Sequence, residues 1–218
     1  MEHLVKKTDN DVIIDAIWDK NFWADTEEIV LENYMGEFPE HFPETKVKIK
    51  YNNKEVIIIF KVVEKNVKAV AEKNNDAVFQ DSCVEFFFNP NTNKTGYFNL
   101  ETNCGGTVLF GVRSKKGEKS IKLSDIDIKK LEIKSTLPKI IINEIKEETE
   151  WIIEYKIPFE LLKKYMEFKL PITGDIWFCN FYKCADNSST PHWLTWNKVE
   201  FEAPNFHMPE YFGKIIFA

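Results

Sequence analysis

Short segments that alternate apolar and polar residues recur along most of the chain. Residues 45–51, TKVKIKY, place Val47, Ile49 and Tyr51 on one face and three lysines on the opposite face, which we expect to point outward. An Asn-Asn turn follows, and residues 55–63, EVIIIFKVV, are apolar on both faces. The pattern predicts a hairpin whose second strand lies in the centre of a sheet.

A second group of alternating segments follows this hairpin. SCVEFFFN at residues 82–89 leads into the turn-forming loop NPNTNKTG, and GYFNLETN at residues 96–103 leads into a Cys-Gly-Gly turn before TVLFGVR at residues 107–113. These three segments predict a three-stranded antiparallel meander.

The first strand of the meander carries a glutamate among phenylalanines. With a period of two, Val84, Phe86 and Phe88 share one face, which we predict to be core. Glu85 lies on the other face beside Phe87. Such a face is either solvated sheet, with Glu85 paired to a lysine, or the wall of a site.

The second half of the chain continues the strand pattern. KIIINEI at residues 139–145 and EWIIEYKI at residues 150–157 predict a further hairpin, while residues 114–129 are charged and loop-like. Pro158 begins the one predicted short helix, and IWFCNFYKC, HWLTWNK and GKIIFA supply the last strands. Roughly ten to twelve short strands predict an all-β fold, a single β-sandwich with jelly-roll-like or immunoglobulin-like layers. We expect residues 1–218 to form one domain.

Charge and cysteine spacing narrow the classes of function. The net charge is −6 and Arg113 is the only arginine, so we expect no nucleic-acid partner. No segment has the length of a membrane span, and no membrane partner is expected. The four cysteines lack CxxC spacing, which favours buried free thiols over a zinc site, although Cys83 and Cys104 could meet across neighbouring strands.

We expect a soluble monomer. The first residues, MEHLVKKTDNDVIID, contain no apolar signal-peptide segment. The protein is therefore expected to be cytoplasmic as the sequence stands, or extracellular if a signal peptide has been removed.

Several segments occur in a recognisable order along the chain. They are AIWDKNFW, KVKIKYNNKEVIIIFKV, QDSCVEFFFNPN, KTGYFNLETNCGG, EYKIPFELL, GDIWFCNFYKC, HWLTW and FHMPEYFGKIIF. The series resembles the family 9 carbohydrate-binding modules and the carbohydrate-binding family 9-like domains, over most of the chain. The DS-VE-FF and PEYFG segments carry the most specific part of the resemblance, which implies a β-sandwich of the DOMON-like kind and a non-catalytic, sugar-binding module of the type found in xylan- and cellulose-degrading enzymes.

The resemblance also implies which residues bind the sugar. In well-studied members two aromatic side chains clamp a glucose or xylose ring at a chain end; here Phe79 and Phe206 match those positions. Glu85 matches the glutamate of the strand motif, and Asn99 is the closest match to an inward polar residue on the next strand. The chain departs from the family in two respects. It has Phe where those members have Trp, and it lacks the arginine that they have near the position of Asn99, which an Asn amide cannot replace. Aromatic rings suit the C–H faces of a pyranose, and carboxylates and amides suit its hydroxyl groups.

Two tryptophans and two histidines late in the chain are further candidates. Trp193 and Trp196 are alternative stacking platforms, with core packing as the other interpretation of Trp196. His192 and His207 are expected at the rim of a site rather than as metal ligands or catalytic groups. The predicted ligand-binding residues are Phe79, Glu85, Asn99, Trp196, Phe206 and His207.

Other functions compete with sugar binding. Some DOMON-like relatives bind haem, for which the candidate axial ligands here are Met35, Met208, His41 and His207. Glu85 and Glu101 could be adjacent across two strands, as the carboxylates of a glycoside hydrolase are. A sandwich with a degenerate site is the third alternative to sugar binding. No cofactor is expected except Ca²⁺, for which oxygen ligands are offered by Asp15, Asp19, Asp25 and Asp81.

Overall fold

The computed structural model describes residues 1–92, 95–113 and 120–218. These residues contain sixteen strands and two short α-helices, and none of the helices is long and apolar enough to cross a bilayer. The strands are β1 Glu2–Lys7, β2 Ile29–Val30, β3 Asn33–Tyr34, β4 Glu44–Tyr51, β5 Glu55–Glu64, β6 Val67–Ala69, β7 Cys83–Asn89, β8 Tyr97–Asn103, β9 Val108–Arg113, β10 Ile121–Lys122, β11 Glu132–Ser135, β12 Ile141–Ile145, β13 Thr149–Pro158, β14 Ile176–Cys184, β15 Trp193–Thr195 and β16 Gly213–Phe217. The helices are α1 Asp125–Ile128 and α2 Phe159–Lys163, and short 3₁₀ turns cover Asn21–Trp23, Val78–Gln80 and Pro209–Tyr211.

Two layers of sheet are joined through β1. The first layer has the order β10-β9-β8-β7-β14-β16, and the second has the order β4-β5-β13-β11. Strand β1 pairs in parallel with β16 at its beginning and with β4 at its end, so it passes from one layer to the other. Strand β15 pairs with β14 and β3 at the edge of the first layer.

The main core lies between these layers. Phe86 and Phe88 of β7 stack at 4.5 Å between ring centroids, and Phe86 stacks on Phe181 of β14 at 4.8 Å. Phe181 in turn contacts Phe60 of the second layer at 6.0 Å. Val84 belongs to the same buried cluster, so the predicted inward face of β7 is confirmed.

Most of the local predictions are confirmed. Strands β4 and β5 form the expected hairpin with β5 central, and β7, β8 and β9 form the expected meander. Pro158 stands immediately before α2. Part of the region expected to be a loop instead forms α1, because the Ser124 hydroxyl accepts a hydrogen bond from the Asp127 N–H at 3.2 Å and caps the helix. Residues 93–94 of the predicted loop and 114–119 of the predicted charged segment lie outside the described residues.

The predicted second hairpin is wrong. Strand β13 forms a ten-residue ladder with β5 and also pairs with β11, while β12 pairs with β6 in a separate two-stranded sheet. The different burial of β12 and β13 explains why they pair with different strands. Strand β13 is largely buried and gains two neighbours in the second layer, whereas β12 exposes residues such as Ile142 and lies outside the two layers.

The outward position predicted for the lysines of β4 is also corrected. Lys48 and Lys50 are buried because the segment before β2 covers this side of the second layer. The Lys48 ammonium lies 4.3 Å from the Trp18 ring centroid, and the Lys50 ammonium lies 2.6 Å from Asp25 Oδ1. Long lysine stems can be buried in this way while their charged ends keep partners.

Candidate functional site

The face of the first layer that points away from the main core carries a second cluster of side chains. Alternation along β7 places Glu85 and Phe87 there, and Glu85 is directly opposite Glu101 of β8 and Tyr182 of β14. Asn99 of β8 is directly opposite Gly111 of β9. Four neighbouring strands therefore project polar and aromatic groups onto one surface.

A cavity of about 400 Å³ lies on this surface. The strands supply its floor, and its sides come from Phe79, Asp186, Trp193 and the segment at residues 204–207. The volume falls in the range of roughly 300–1,000 Å³ that is usual for small-molecule sites. Five of the six predicted ligand-binding residues line this cavity, namely Phe79, Glu85, Asn99, Phe206 and His207.

Backbone contacts fix the two candidate clamp aromatics in place. Phe79 lies in the middle of the turn Val78–Gln80, and its carbonyl accepts a hydrogen bond from the Asp186 N–H at 3.1 Å. The Phe206 ring stacks on Tyr182 with centroids 4.1 Å apart and planes at 13°. The Tyr182 hydroxyl donates to the Phe206 carbonyl at 3.2 Å. The two rings come from distant parts of the chain and border the same cavity.

The position of Trp196 contradicts its predicted role, whereas Trp193 lines the cavity. Trp196 is 5% exposed and packs edge-on against Phe181 of the main core at 5.8 Å. The Trp193 indole donates to Asp186 Oδ1 at 2.7 Å. The two tryptophans are three positions apart in an extended segment, so they point to opposite faces.

Two carboxyl groups are buried in the cavity floor. Glu85 is 2% exposed, and its Oε1 accepts a hydrogen bond from the Cys184 thiol at 3.2 Å. Glu101 is 4% exposed, and its Oε1 accepts from the Asn99 amide at 2.9 Å. Burial raises the pKa of Glu101 to about 7, and burial together with nearby negative charge raises the pKa of Glu85 well above its ordinary value.

The lysine nearest to Glu85 in the strand ladder, Lys183, forms its ion pair with another glutamate. Lys183 of β14 points to the main core and forms an ion pair with Glu64 at 2.9 Å. It also contacts His192 at 2.8 Å between the two nitrogens. The predicted rim position of His192 is therefore wrong, since the ring is 1% exposed and belongs to this buried cluster.

His207 lines the cavity. Its Nδ1 is 3.0 Å from the Tyr97 hydroxyl, and its ring centroid is 5.0 Å from that of Phe87. Burial, with a smaller effect of the Arg113 charge, lowers the pKa of His207 to about 4. The ring is thus neutral at physiological pH, and its second nitrogen can donate or accept one hydrogen bond with a ligand.

Arg113, Asp186, Ser120 and Lys122 also line the cavity and were not predicted. Arg113 follows Gly111 by two positions on β9, so both face the cavity. A Cβ on Gly111 would lie 2.0 Å from Ser120 Oγ and 2.7 Å from Asn99 Oδ1, so a side chain there would displace both polar groups. Strand β9 thus brings the guanidinium of Arg113 to the cavity. The one sequence feature that could have indicated Arg113 is that it is the only arginine in the chain.

The proposed calcium ligands do not come together. Asp15 pairs with Lys20 at 2.8 Å, Asp25 pairs with Lys50, and Asp81 accepts hydrogen bonds from the Ala71 N–H and the Asn103 amide. Within residues 1–92, 95–113 and 120–218, the one group of side chains close enough to hold a metal contains no aspartate.

The four cysteines are free and buried, as predicted. Cys83 lies opposite Cys184, and its other ladder neighbour is Asn103 rather than Cys104. Of the haem-ligand candidates, His207 lines the cavity, but neither Met35 nor Met208 is among the described residues that line it. His41 lies elsewhere and accepts a hydrogen bond from the Lys65 N–H at 3.1 Å.

Comparisons with known proteins support the same fold. The sequence profile of a family described as carbohydrate-binding family 9 matches residues 18–217. No curated protein matches the chain significantly. A candidate carbohydrate-binding protein from Bacteroides uniformis ATCC 8492 has a similar structure with a TM-score of 0.90 and 28% identity, covering 100% of this chain and 99% of that one.

Two structures of a family 9 carbohydrate-binding module from Caldicellulosiruptor kristjanssonii are also similar. The complex with cellotriose has a TM-score of 0.65 and 16% identity and covers 100% of this chain and 93% of that one. The complex with glucose has a TM-score of 0.65 and 15% identity and covers 100% and 96%. These likenesses confirm the predicted all-β sandwich.

Proposed function

Because the chain belongs to carbohydrate-binding family 9, whose modules bind carbohydrates without catalysis, we propose that its cavity binds a gluco- or xylo-configured sugar or the end of an oligosaccharide. The structurally similar module from C. kristjanssonii was solved with glucose and with cellotriose. The observation that carries the proposal is that Phe79, Glu85 and Phe206, from three separate segments, line one cavity.

The chemistry of the cavity suits a pyranose ring. Phe79, Phe206 and Trp193 offer apolar faces on which the axial C–H groups of a sugar can stack. Glu85 and Asn99 offer oxygen acceptors for hydroxyl protons, and the Arg113 guanidinium offers donors for hydroxyl oxygens. Each hydroxyl loses water on binding and must regain a partner, so we expect modest affinity.

The arrangement of the two glutamates favours binding over hydrolysis. Glu85 and Glu101 are directly opposite in neighbouring strands and project from one floor. A glycoside hydrolase instead needs two carboxyl groups that flank the scissile bond. Both groups here would face the same side of a bound sugar, where they accept hydrogen bonds. The haem-binding alternative gains no support from the related structures.

We further propose that residues 1–218 act as one monomeric module, because the described cavity is formed within a single chain. Sedimentation analysis with and without sugar tests this. A stable dimer would contradict it.

Calorimetric titration with glucose, xylose, cellotriose and xylotriose tests the function. We expect binding with dissociation constants in the micromolar to millimolar range, and at least a tenfold loss in a Glu85→Gln variant, which keeps the shape of the side chain. The matched control is Glu200→Gln, since Glu200 is exposed and pairs with Lys198 on the surface. The absence of heat with all four sugars at millimolar concentration would contradict the proposal.

A further inference from the structure

Two thiols and a carboxyl group meet in the floor of the cavity. Cys83 of β7 and Cys184 of β14 are directly opposite in the ladder, and Glu85 is two positions along β7 on the same face. The two Sγ atoms and a carboxylate oxygen all lie within 4.8 Å of one another. All three side chains are at most 2% exposed.

Sugar recognition does not account for the two thiols. The Cys184 thiol contacts Glu85 Oε1 at 3.2 Å and the Phe79 carbonyl at 3.5 Å. The Cys83 thiol contacts the Val84 carbonyl at 3.7 Å. A thiol is a weak hydrogen-bond donor, and an alanine would fill either position without leaving a strong donor unsatisfied. The grouping of two sulfur atoms with one carboxylate is, however, a typical set of ligands for a borderline-soft metal ion.

We propose that Cys83, Cys184 and Glu85 form a binding site for a thiophilic divalent cation of the Zn²⁺ class. Zn–S bonds of about 2.3 Å and Zn–O bonds of about 2.0–2.2 Å place tetrahedral ligand atoms somewhat less than 4 Å apart. The three ligand atoms here lie within 4.8 Å of one another, so they would have to approach slightly when an ion binds. Ca²⁺ and Mg²⁺ are excluded because they take oxygen ligands.

The cavity gives this site an entrance and an open coordination position. Cys184 and Glu85 both line the cavity, so an ion can reach them from the side on which the sugar is proposed to bind. Three protein ligands leave the fourth tetrahedral position for a water molecule on the cavity side. Because the site uses Glu85, a bound cation would compete for the oxygen atoms proposed to accept a sugar hydroxyl.

Titration of the reduced protein, residues 1–218, with Co²⁺ tests the inference. Cobalt bound by two thiolates in tetrahedral geometry gives a thiolate-to-metal charge-transfer band in the near ultraviolet and intense visible bands. We expect both at one equivalent of Co²⁺, and their loss when Zn²⁺ is added. Cys83→Ala and Cys184→Ala are each expected to weaken binding at least a hundredfold, and Glu85→Gln at least tenfold.

The matched control is Cys179→Ala. Cys179 is also buried in β14, but it faces the main core, so its variant is expected to bind Co²⁺ like the parent protein. If an alanine variant fails to fold, the serine variant at the same position replaces it. No charge-transfer band, or a band that persists in both cysteine variants, would overturn the inference. Sugar titration of the same metal-free samples is a separate readout, so failure of the metal site leaves the proposed sugar binding intact, and the reverse holds.

Discussion

The replacement of Phe79 by alanine tests the aromatic wall of the cavity most directly. The ring lines the cavity and is half-buried, and it belongs to a 3₁₀ turn that main-chain hydrogen bonds hold in place. The Phe79 carbonyl still accepts from the Asp186 N–H in the variant, because that bond does not involve the side chain. We therefore expect Phe79→Ala to remove a sugar-contacting surface without displacing the turn.

The magnitude follows from the area of one ring face. Covering a sugar with that face removes about 60 Å² from water, roughly a third of the area an aromatic side chain can bury. At about 25 cal/mol per Å², the contribution is about 1.5 kcal/mol. This free energy corresponds to about a tenfold increase in the dissociation constant. The larger indole of Phe79→Trp should change the affinity in the opposite direction.

Calorimetry with cellotriose, alongside thermal unfolding, separates binding from folding. The control is Phe22→Ala, because Phe22 is also half-buried and is also the middle residue of a 3₁₀ turn, Asn21–Trp23. Phe22 lies away from the cavity, where it contacts Trp23 of the same turn and Lys50 of β4. We expect tenfold weaker binding for Phe79→Ala and unchanged binding for Phe22→Ala. Equal affinities in the parent and both variants would refute the assignment of Phe79 as a stacking surface.

Three other predictions address the floor, the rim and the core. Gly111→Ala should weaken sugar binding at least tenfold in calorimetry, because its Cβ displaces Asn99; an unchanged affinity would contradict this. The His207 pKa of about 4 lies below the ordinary value, so this group's stabilisation is complete above about pH 6.5 and is lost as the pH falls towards 4. The loss is at most about 3 kcal/mol of unfolding free energy. If a His207→Gln variant showed the same dependence of unfolding free energy on pH as the parent protein, the prediction would be contradicted. Glu64→Ala should lower the unfolding free energy by about 3–5 kcal/mol in urea titrations, since it leaves Lys183 buried without its carboxylate. The double variant Glu64→Leu/Lys183→Met should recover most of that loss, and equal stabilities of the single and double variants would count against the ion pair.

Local periodicity predicted the parts of the fold that depend on neighbouring residues. Val84, Phe86 and Phe88 alternate with Glu85, and the structure buries the first three between the layers and directs the fourth to the cavity. A two-residue period specifies which face a side chain occupies, because that property is set by the strand backbone itself.

The pairing of distant strands was harder to predict. Strand β13 could pair with β12 or with β5, and its own sequence favours neither, since the ladder bonds are made by the backbone. The burial of Lys48 has the same origin, because it depends on a separate segment that brings Trp18 over β4. Such contacts become visible only when the whole packing is known.

The candidate site likewise contains residues that the sequence predicted and a residue that only the pairing of distant strands revealed. Phe79, Glu85 and Phe206 were placed by their resemblance to a family motif, and their roles in binding stay predictions. Arg113 was missed because its relation to Asn99 depends on the register of β9 against β8, which no sequence spacing reveals.

The buried carboxyl groups support the proposal that the cavity is a binding site rather than a packing defect. Burial of Glu85 and Glu101 side by side disfavours their charged forms, which raises both pKa values and costs folding free energy. Leucine at either position would extend the neighbouring apolar cluster of Phe87 and Tyr182 without that cost. In the proposed complexes, sugar hydroxyl groups or a cation would give these two acceptors further partners and offset part of that cost.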